Sequence, residues 1–551
     1  MSRAAPLLSS FNAGELSPRL GARVDVGKVA SGCKVMENYI PMIQGPAMRR
    51  CGTRYVAEVK DSAARTWLVR FEFNVQQAYV AEFGHNYIRF YTQHGQLLAT
   101  GSAAYAGGTT YAKDDYVTYG AITYRSLQAA NLGHQPDISP AWWAAQSIYE
   151  ITSPYSTSDL TASDGTFNLR IVESADVLYI CHANYAPRKL SRLSATSWSL
   201  ATLTPTGGPF KDVNTTTTTV YASAQTGSVT VTASAAIFTS AMVGSLFYIE
   251  RNTAANIPMW VAATAGIGAG ARCRADGRTY LTAAGGTTGN VMPTHTEGSM
   301  RDGVSNVIWT YEDPGYGYGI ITAYTDSTHV TMTVIDAIPY NAVGAGQATT
   351  KWAFGAWSDV EGWPDQVTFY KERLTFARGQ HVWMSQSGDY ENFHSKDKGG
   401  LVVADSAISI QVQSDQVNNI RWLMPFDSLL VGTAGSEFAV QPLTLNQVFG
   451  PDNVTAPPVS GFGSKGIMPA RVGDYILFVQ RSGIKLREIN YDFLSNKFQS
   501  KDKTVLSDHI TQGGLIQLSY QQEPYSLVWA SRVDGHLICF TYNREQEVEG
   551  W

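Results

Sequence analysis

KERLTFARGQHVWMSQSGDYENF, Lys371 to Phe393, carries the pattern on which the fold turns: a short apolar strand, a turn, a second strand and aromatic residues. The same unit returns along the chain. Thr66 to Leu98 reads TWLVRFEFNVQQAYVAEFGHNYIRFYTQHGQLL, where Trp67, Val69, Phe71 and Phe73 alternate before Gly84 and His94-Gly95 supply turns. Further copies are ADVLYICHANYAPRKLSRLSATSWSL from Ala175, DSLLVGTAGSEFAV from Asp427, DYILFVQRSGIKLREI from Asp474 and YSLVWASRVDGHLICFTYNREQEVEGW from Tyr525. In the C-terminal part they recur every roughly forty to sixty residues, a spacing that suits four-stranded propeller blades. No such unit can bury both faces alone, and radial stacking lets each cover its neighbour while strand edges stay short. The predicted class is all-β, a β-propeller-like platform with inserted small β modules. A β-sandwich with long hairpins is the competing arrangement.

Composition agrees with that class. A chain of 551 residues is too long for one compact core and is expected to form two to four folding units. Charged residues make up 16% against the usual quarter or so, while aromatics reach 11%, with 50 Gly and 29 Tyr. Low charge with many aromatics favours surfaces covered by other chains. The net charge of −5 gives no global basic signature for nucleic-acid binding, so any contact with DNA has to be local or indirect. Cys33, Cys51, Cys181, Cys273 and Cys539 show no metal-ligand spacing, and free thiols are expected, with a Cys33–Cys51 disulfide left open. The opening MSRAAPLLSSF lacks an apolar core of signal-peptide length and no later run is long enough to cross a bilayer, so synthesis in a reducing cytoplasm is expected.

Two stretches break the repeat and read as insertions into exposed loops. The first, from about Thr100 to Glu150, contains Tyr111, Asp114, Val117, Tyr119, Tyr124, Asn131, Gly133, Pro136, Pro140 and Trp142. It resembles the small three-stranded carbohydrate-binding modules of chitinases, departing from them at Asp115. The resemblance makes Tyr119, Tyr124, Trp142 and Trp143 candidate glycan-binding residues. The competing reading is that these rings are the core of a miniature module, which at this size needs them. The second insertion, about Gly207 to Gly355, is rich in Thr, Ala and Gly, and Thr215 to Phe238 alternates as a β-hairpin. His295, in a Gly-Thr-Pro loop, is expected to serve as a hydrogen-bonding turn residue.

The first fifty-odd residues lack this pattern. Leu16, Leu20 and Val24 could line a helical face, yet Gly14, Pro18 and Gly21 punctuate it, and Pro41, Gly45 and Pro46 break the next stretch into short extended pieces. Such a segment is either an ordinary irregular terminus or an arm laid along something larger. Its arginines, Arg19, Arg23, Arg49, Arg50 and Arg54, are candidate assembly contacts for carboxylates.

The pattern F-N-x-G-E-L-S-P-R-L-x-x-R-x-D-x-x-K-x-x-x-G-C-x-x-x-E-N-x-I-P-x-x-Q-G-P-x-x-R-R-x-G-T-R, from Phe11 to Arg54, resembles the start of tail nozzle, or tail tubular protein B-like, proteins of short-tailed bacteriophages. The elements of Gly277 to Asp313 likewise echo decoration modules of phage tail proteins. The resemblance implies a virion protein of the tail, assembled in the host cytoplasm as a ring, a hexamer in relatives. It also implies adaptor proteins below the portal, tail fibres or tailspikes as neighbours, and viral DNA passing through the lumen. Relatives continue past LICFTYNREQEVEGW, which implies either an incomplete last blade or a missing tail of sequence. The alternative is a tail adhesin for host surface glycans.

The domain boundaries implied are an arm over 1–60, platform over 61–100, the carbohydrate-binding-module-like insertion over 101–150, platform over 151–206, a β-rich decoration domain over 207–355 and C-terminal blades over 356–551. No phosphate loop, nucleophile elbow or H-E-x-x-H motif is present, and acidic pairs such as Asp114 with Asp115 arise freely among 46 acidic residues. Neither enzyme chemistry nor a cofactor is expected. Glu72 should pair with Arg70 or Arg89, and Arg188, Lys189 and Arg192 should form a solvated or subunit contact rather than a DNA groove.

Overall fold

The computed structural model describes residues 8–23, 25–74, 77–99, 102–252, 257–413 and 418–551, the side chains of 73, 74 and 77 excepted. It is nearly all-β and built from many small antiparallel sheets. Six of these hold the six sequence units. Sheet I comprises Trp67–Asn74, Gln77–Gly84, Tyr87–Thr92 and Glu150–Thr152, with Gly95–Gln96 beside the third strand. Sheet II runs through Arg170–Ser174, Val177–His182, Tyr185–Ser194 and Ser197–Thr202. Sheet III comprises Gln366–Tyr370, Arg373–Arg378, His381–Met384 and Ile408–Gln411, and sheet IV Ile420–Pro425, Leu429–Thr433, Glu437–Val440 and Pro458–Ser460. Sheet V contains Ala470–Val472, Tyr475–Val479, Leu486–Asp492 and Lys497–Asp502; sheet VI contains Leu515–Gln521, Leu527–Arg532, Leu537–Asn543 and Val548–Gly550.

Consecutive residues of a strand point to opposite faces, and here each face meets a different neighbour. In sheet IV, Leu430 packs with Trp422 against Ile476 and Phe478 of sheet V. The flanking Leu429 and Val431 pack against Val382 and Met384 of sheet III. Sheet III turns Phe376 and Trp383 to Tyr179 and Cys181 of sheet II. Sheet II in turn gives Leu178 and Ile180 to Phe71, Phe83 and Phe90 of sheet I. Sheet V presents Leu477 and Val479 to Val528 and Phe540 of sheet VI. Burial on both faces explains why inner strands such as YILFV in sheet V and LLVGT in sheet IV read as unbroken apolar runs, whereas the edge strand Trp67–Asn74 alternates. Ile516 of sheet VI lies in the cluster between sheets I and II. Overall the sheets curve as a half-barrel, and among the described residues no closed propeller is detected.

The units at Lys371, Asp427 and Asp474 capture the two middle strands of their sheets, and the other three take in an outer strand as well. The unit at Lys371 begins one strand late, because Lys371 and Glu372 are themselves the turn after Gln366–Tyr370, with φ of 46° and 58°. Two positive φ values in a two-residue hairpin are normally supplied by Asn-Gly or Gly-Gly, so Lys-Glu gives no signal.

Residues of the first insertion form a three-stranded sheet, Tyr116–Tyr119, Ile122–Ser126 and Trp143–Ala145. In the second, Val220–Ala222 and Ser228–Ala233 pair as the expected hairpin and join a six-stranded sheet. A separate four-stranded sheet spans Arg272 to Asp313. His295 departs from expectation: neither ring nitrogen has a hydrogen-bond partner, and the ring packs on Tyr280 with centroids 4.9 Å apart. Its backbone carbonyl accepts the bond, from Tyr280 Oη at 2.8 Å. All five cysteines are free, which resolves the Cys33–Cys51 alternative.

Candidate assembly site: the arm and its seat

The arm is held by backbone first. Gly14–Glu15 pairs in parallel with Gly32–Cys33, and Tyr39–Pro41 pairs with Ala47–Arg49. Gly14 has φ of +64°, and a Cβ there would lie 2.5 Å from the Trp551 backbone nitrogen, so only glycine lets the arm approach sheet VI this closely. The N–H of Glu15 then donates to the Trp551 carbonyl at 2.9 Å, and that of Ser17 to the Leu506 carbonyl at 2.7 Å. Ser507 Oγ donates back to the Glu15 carbonyl at 2.6 Å.

Side chains add a run of charges. Arg19 reaches Asp508 at 2.8 Å, and Glu15 lies 2.8 Å from His509 Nε2 while accepting the Met36 N–H at 2.6 Å. Lys28 lies 3.4 Å from Glu549, which takes Lys503 at 2.7 Å; Lys503 also pairs with Glu488 at 2.8 Å, and Glu488 with Arg544 at 2.9 Å. Glu488 is fully buried and also accepts from Tyr542 Oη. A carboxylate there is tolerable only because both oxygens are partnered, by Arg544, Lys503 and Tyr542. Burial opposes ionisation of Glu549, yet Lys503 and Lys28 outweigh it and hold its carboxyl below the usual range. The Ser17 hydroxyl and then Arg19 lower Asp508 in the same way.

Of the five arginines singled out from sequence, Arg19 alone reaches a platform carboxylate among the described residues. Arg23 pairs within the arm, with Asp25 at 2.7 Å. Arg50 donates to Asn38 Oδ1 and the Cys51 carbonyl, while Arg49 and Arg54 are exposed. Glu15, Lys28 and their partners were missed: an acid beside a glycine in an irregular segment carries no local signal for a partner almost five hundred residues away.

A second buried ionic centre ties the inserted three-stranded sheet to sheet I. Glu150, 1% exposed, takes Lys60 at 2.6 Å, Arg89 at 3.0 Å and Arg125 at 2.5 Å. Arg125 also binds Asp114 at 2.6 Å, and Asp114 accepts the Thr152 N–H at 2.9 Å. Desolvation of Glu150 is overcome by Lys60 and Arg125, which lower its pKa. Asp114 is thus a bracket between two sheets.

The four candidate glycan residues are not presented together. Tyr124 and Trp143 are buried with Val117 in the core of the small sheet, and Trp143 Nε1 donates to the His134 carbonyl at 2.7 Å. Tyr119 and Trp142 are half-buried, Trp142 stacking on His134 with centroids 3.9 Å apart. Elsewhere, Glu72 meets Arg70 at 3.4 Å, Arg89 being committed to Glu150. Lys189 meets Glu391 at 2.6 Å, and Arg192 lies over Tyr79. Among the described residues no cluster of metal-ligating side chains occurs and no helix is long and apolar enough to cross a membrane.

Residues 361–512 match the family model for bacteriophage nozzle protein. Over this span, just over a quarter of its length, the chain is similar to that nozzle family. The matched span covers sheets III to V and runs on through Lys503, Leu506, Asp508 and His509, part of the arm seat, while Glu549 and Trp551 lie beyond it. It excludes Phe11 to Arg54, so the resemblance in the arm and the family match rest on separate stretches. The family gives the chain a structural role as a virion tail component. No curated protein sequence matches. Similar solved structures include the computationally designed Ika8 protein, at 8% identity and a TM-score of 0.25 over 88% of this chain and 98% of that one. Another is PorZ, a surface component of the type-IX secretion system of Porphyromonas gingivalis, at 9% identity and a TM-score of 0.22 over 88% of this chain and 61% of that one.

Proposed function

We propose that this nozzle chain assembles as a ring, a hexamer, at the distal end of a short phage tail, retaining DNA and then conducting it into the host. The observation that carries the reading is the nozzle-family match over the part of the platform that seats the arm. In this reading the six sheets close as a propeller platform that builds the tube wall. Each sheet covering the next, and Ile516 of sheet VI entering the sheet I cluster, support closure. Adaptor proteins below the portal and tail fibres or tailspikes would be the ring's neighbours, with the inserted sheets as its decoration. A channel for sliding DNA is poorly served by a strongly basic wall, since each neutralised phosphate adds to retention. The formal charge of −5 is compatible with that requirement.

Electron microscopy of the purified protein tests the proposal. A hollow ring of six copies is expected, and deletion of residues 1–54 should abolish the ring while leaving β content intact. A solid monomer or closed trimer from the full chain would overturn it. The glycan-adhesin alternative gains no support from the buried Tyr124 and Trp143.

A further inference from the structure

A polar cavity of about 690 Å³ opens where the first strands of successive sheets begin. Arg170, Gln366 and Ile420, the opening residues of sheets II, III and IV, all line it, as do Lys465 ahead of sheet V and Arg481 within a turn of that sheet. Its volume is that of a small-molecule site.

The charge is uneven and in part unspent. Arg170, Arg421, Lys465 and Arg481 face two carboxylates, Asp164 and Asp365. Arg170 is buried and pinned, donating to the carbonyls of Phe167 at 2.6 Å, Leu169 at 3.0 Å and Gly466 at 2.8 Å, and to Gln366 Oε1 at 3.2 Å. Lys465 stands 3.6 Å from Asp164 and donates to the Leu515 carbonyl at 3.1 Å. Arg421 and Arg481, by contrast, are exposed and form no side-chain ion pair among the described residues. Asp365 Oδ1 is buried without a hydrogen-bond partner, and burial pushes its carboxyl up, against the pull of Arg170. A protonated carboxyl there would be a donor as well as an acceptor.

The rest of the wall narrows the ligand. Ser163 and Ser482 line it with hydroxyls, Thr166 and Asn168 add acceptor oxygens while their donors are taken by Asp164 and by the Asp159 carbonyl and His182, and no aromatic ring lines it. A wall without rings cannot stack a base, which disfavours nucleotides and single-stranded nucleic acid. Free guanidinium pairs are suited to phosphate oxygens, which they bind bidentately. We propose that this cavity is a binding site for a phosphate ester on a sugar, with Arg421 and Arg481 taking the phosphate and the Ser, Thr and Asn side chains taking the hydroxyls.

Calorimetric titration of the full chain with glucose 6-phosphate, glucose, inorganic phosphate and AMP tests this. Saturable binding of glucose 6-phosphate at millimolar concentration or tighter is expected, with glucose not binding and phosphate and AMP several-fold weaker. Arg421→Ser with Arg481→Ser should weaken it at least tenfold while leaving the ligand-free melting temperature unchanged, since both side chains are exposed. Absence of saturable binding, or equal binding by the double variant, overturns the site. Phosphate binding as tightly as the sugar ester overturns the hydroxyl half of the assignment. A phosphorylated lipopolysaccharide core oligosaccharide separates the two sources of this chemistry: tighter binding than glucose 6-phosphate assigns the site to a surface glycan, weaker binding to a free ester.

Discussion

The Glu15 N–H donates to the Trp551 carbonyl at 2.9 Å while the Glu15 carboxylate stands 2.8 Å from His509. One residue therefore fastens the arm to sheet VI and to the linker that precedes it. Glu15→Ala keeps the backbone bond but removes the His509 contact and the acceptor for the Met36 N–H. The expected loss in arm docking is about 1–3 kcal/mol. Hydrogen exchange over residues 11–41 should accelerate roughly 5- to 150-fold, with sheets I to VI unaffected. Unchanged exchange would place the hold on the arm elsewhere.

Acid should release the arm. Asp508 has a depressed carboxyl pKa when the arm is seated, held down by Ser17 and Arg19 of the arm. Its contribution to docking is therefore fully present above the undocked value of about 4 and is lost as pH falls through the depressed one. Exchange of the arm should be protected at pH 7 and 5 and lose protection below about pH 4. Protection that persists at pH 3 would show that the backbone bonds suffice.

Gly432→Ala should disturb the stack between sheets IV and V. A Cβ at Gly432 would lie 2.0 Å from the ring of Trp422, which is fully buried. Overpacking of this kind costs about 1–3 kcal/mol. A lower denaturation midpoint with unchanged slope is the expected readout.

Removal of the Glu150 carboxylate leaves buried Arg89 without its ion-pair partner and leaves Arg125 with Asp114 alone. Glu150→Ala should cost about 3–5 kcal/mol. The inserted sheet should undock, and proteolysis within residues 102–149 should rise sharply. Cleavage equal to that of the parent chain would refute the bracket role.

Trp143 and Trp142 should separate structure from recognition. Trp143→Ala empties a core position and should unfold the small sheet, at a cost of about 3–5 kcal/mol. Trp142→Ala, at a half-buried ring, should leave it folded. Loss of host-glycan binding in a folded Trp142→Ala variant would revive the adhesin reading.

The centres of the six sheets were legible because Gly, Asn and Asp turns separate apolar runs there. Outer strands such as Pro458–Ser460 and Ala470–Val472 escaped because three residues carry no periodicity. The site was half legible. Arg19 was singled out for its guanidinium and does find Asp508, but Arg23 turns back to Asp25. The Lys28–Glu549–Lys503–Glu488 run joins sequence-distant positions, and only tertiary folding brings those charges into contact.

Arg19 and Asp508 lie 489 residues apart. At about 5–20 residues per second of synthesis, the arm emerges roughly 25–100 s before its seat exists. A newborn chain therefore carries its fastening loose throughout translation, and a prematurely terminated one has nowhere to put it. The clasp therefore closes only on a chain made through Asp508 and Trp551, and a fragment lacking them leaves the arm unseated.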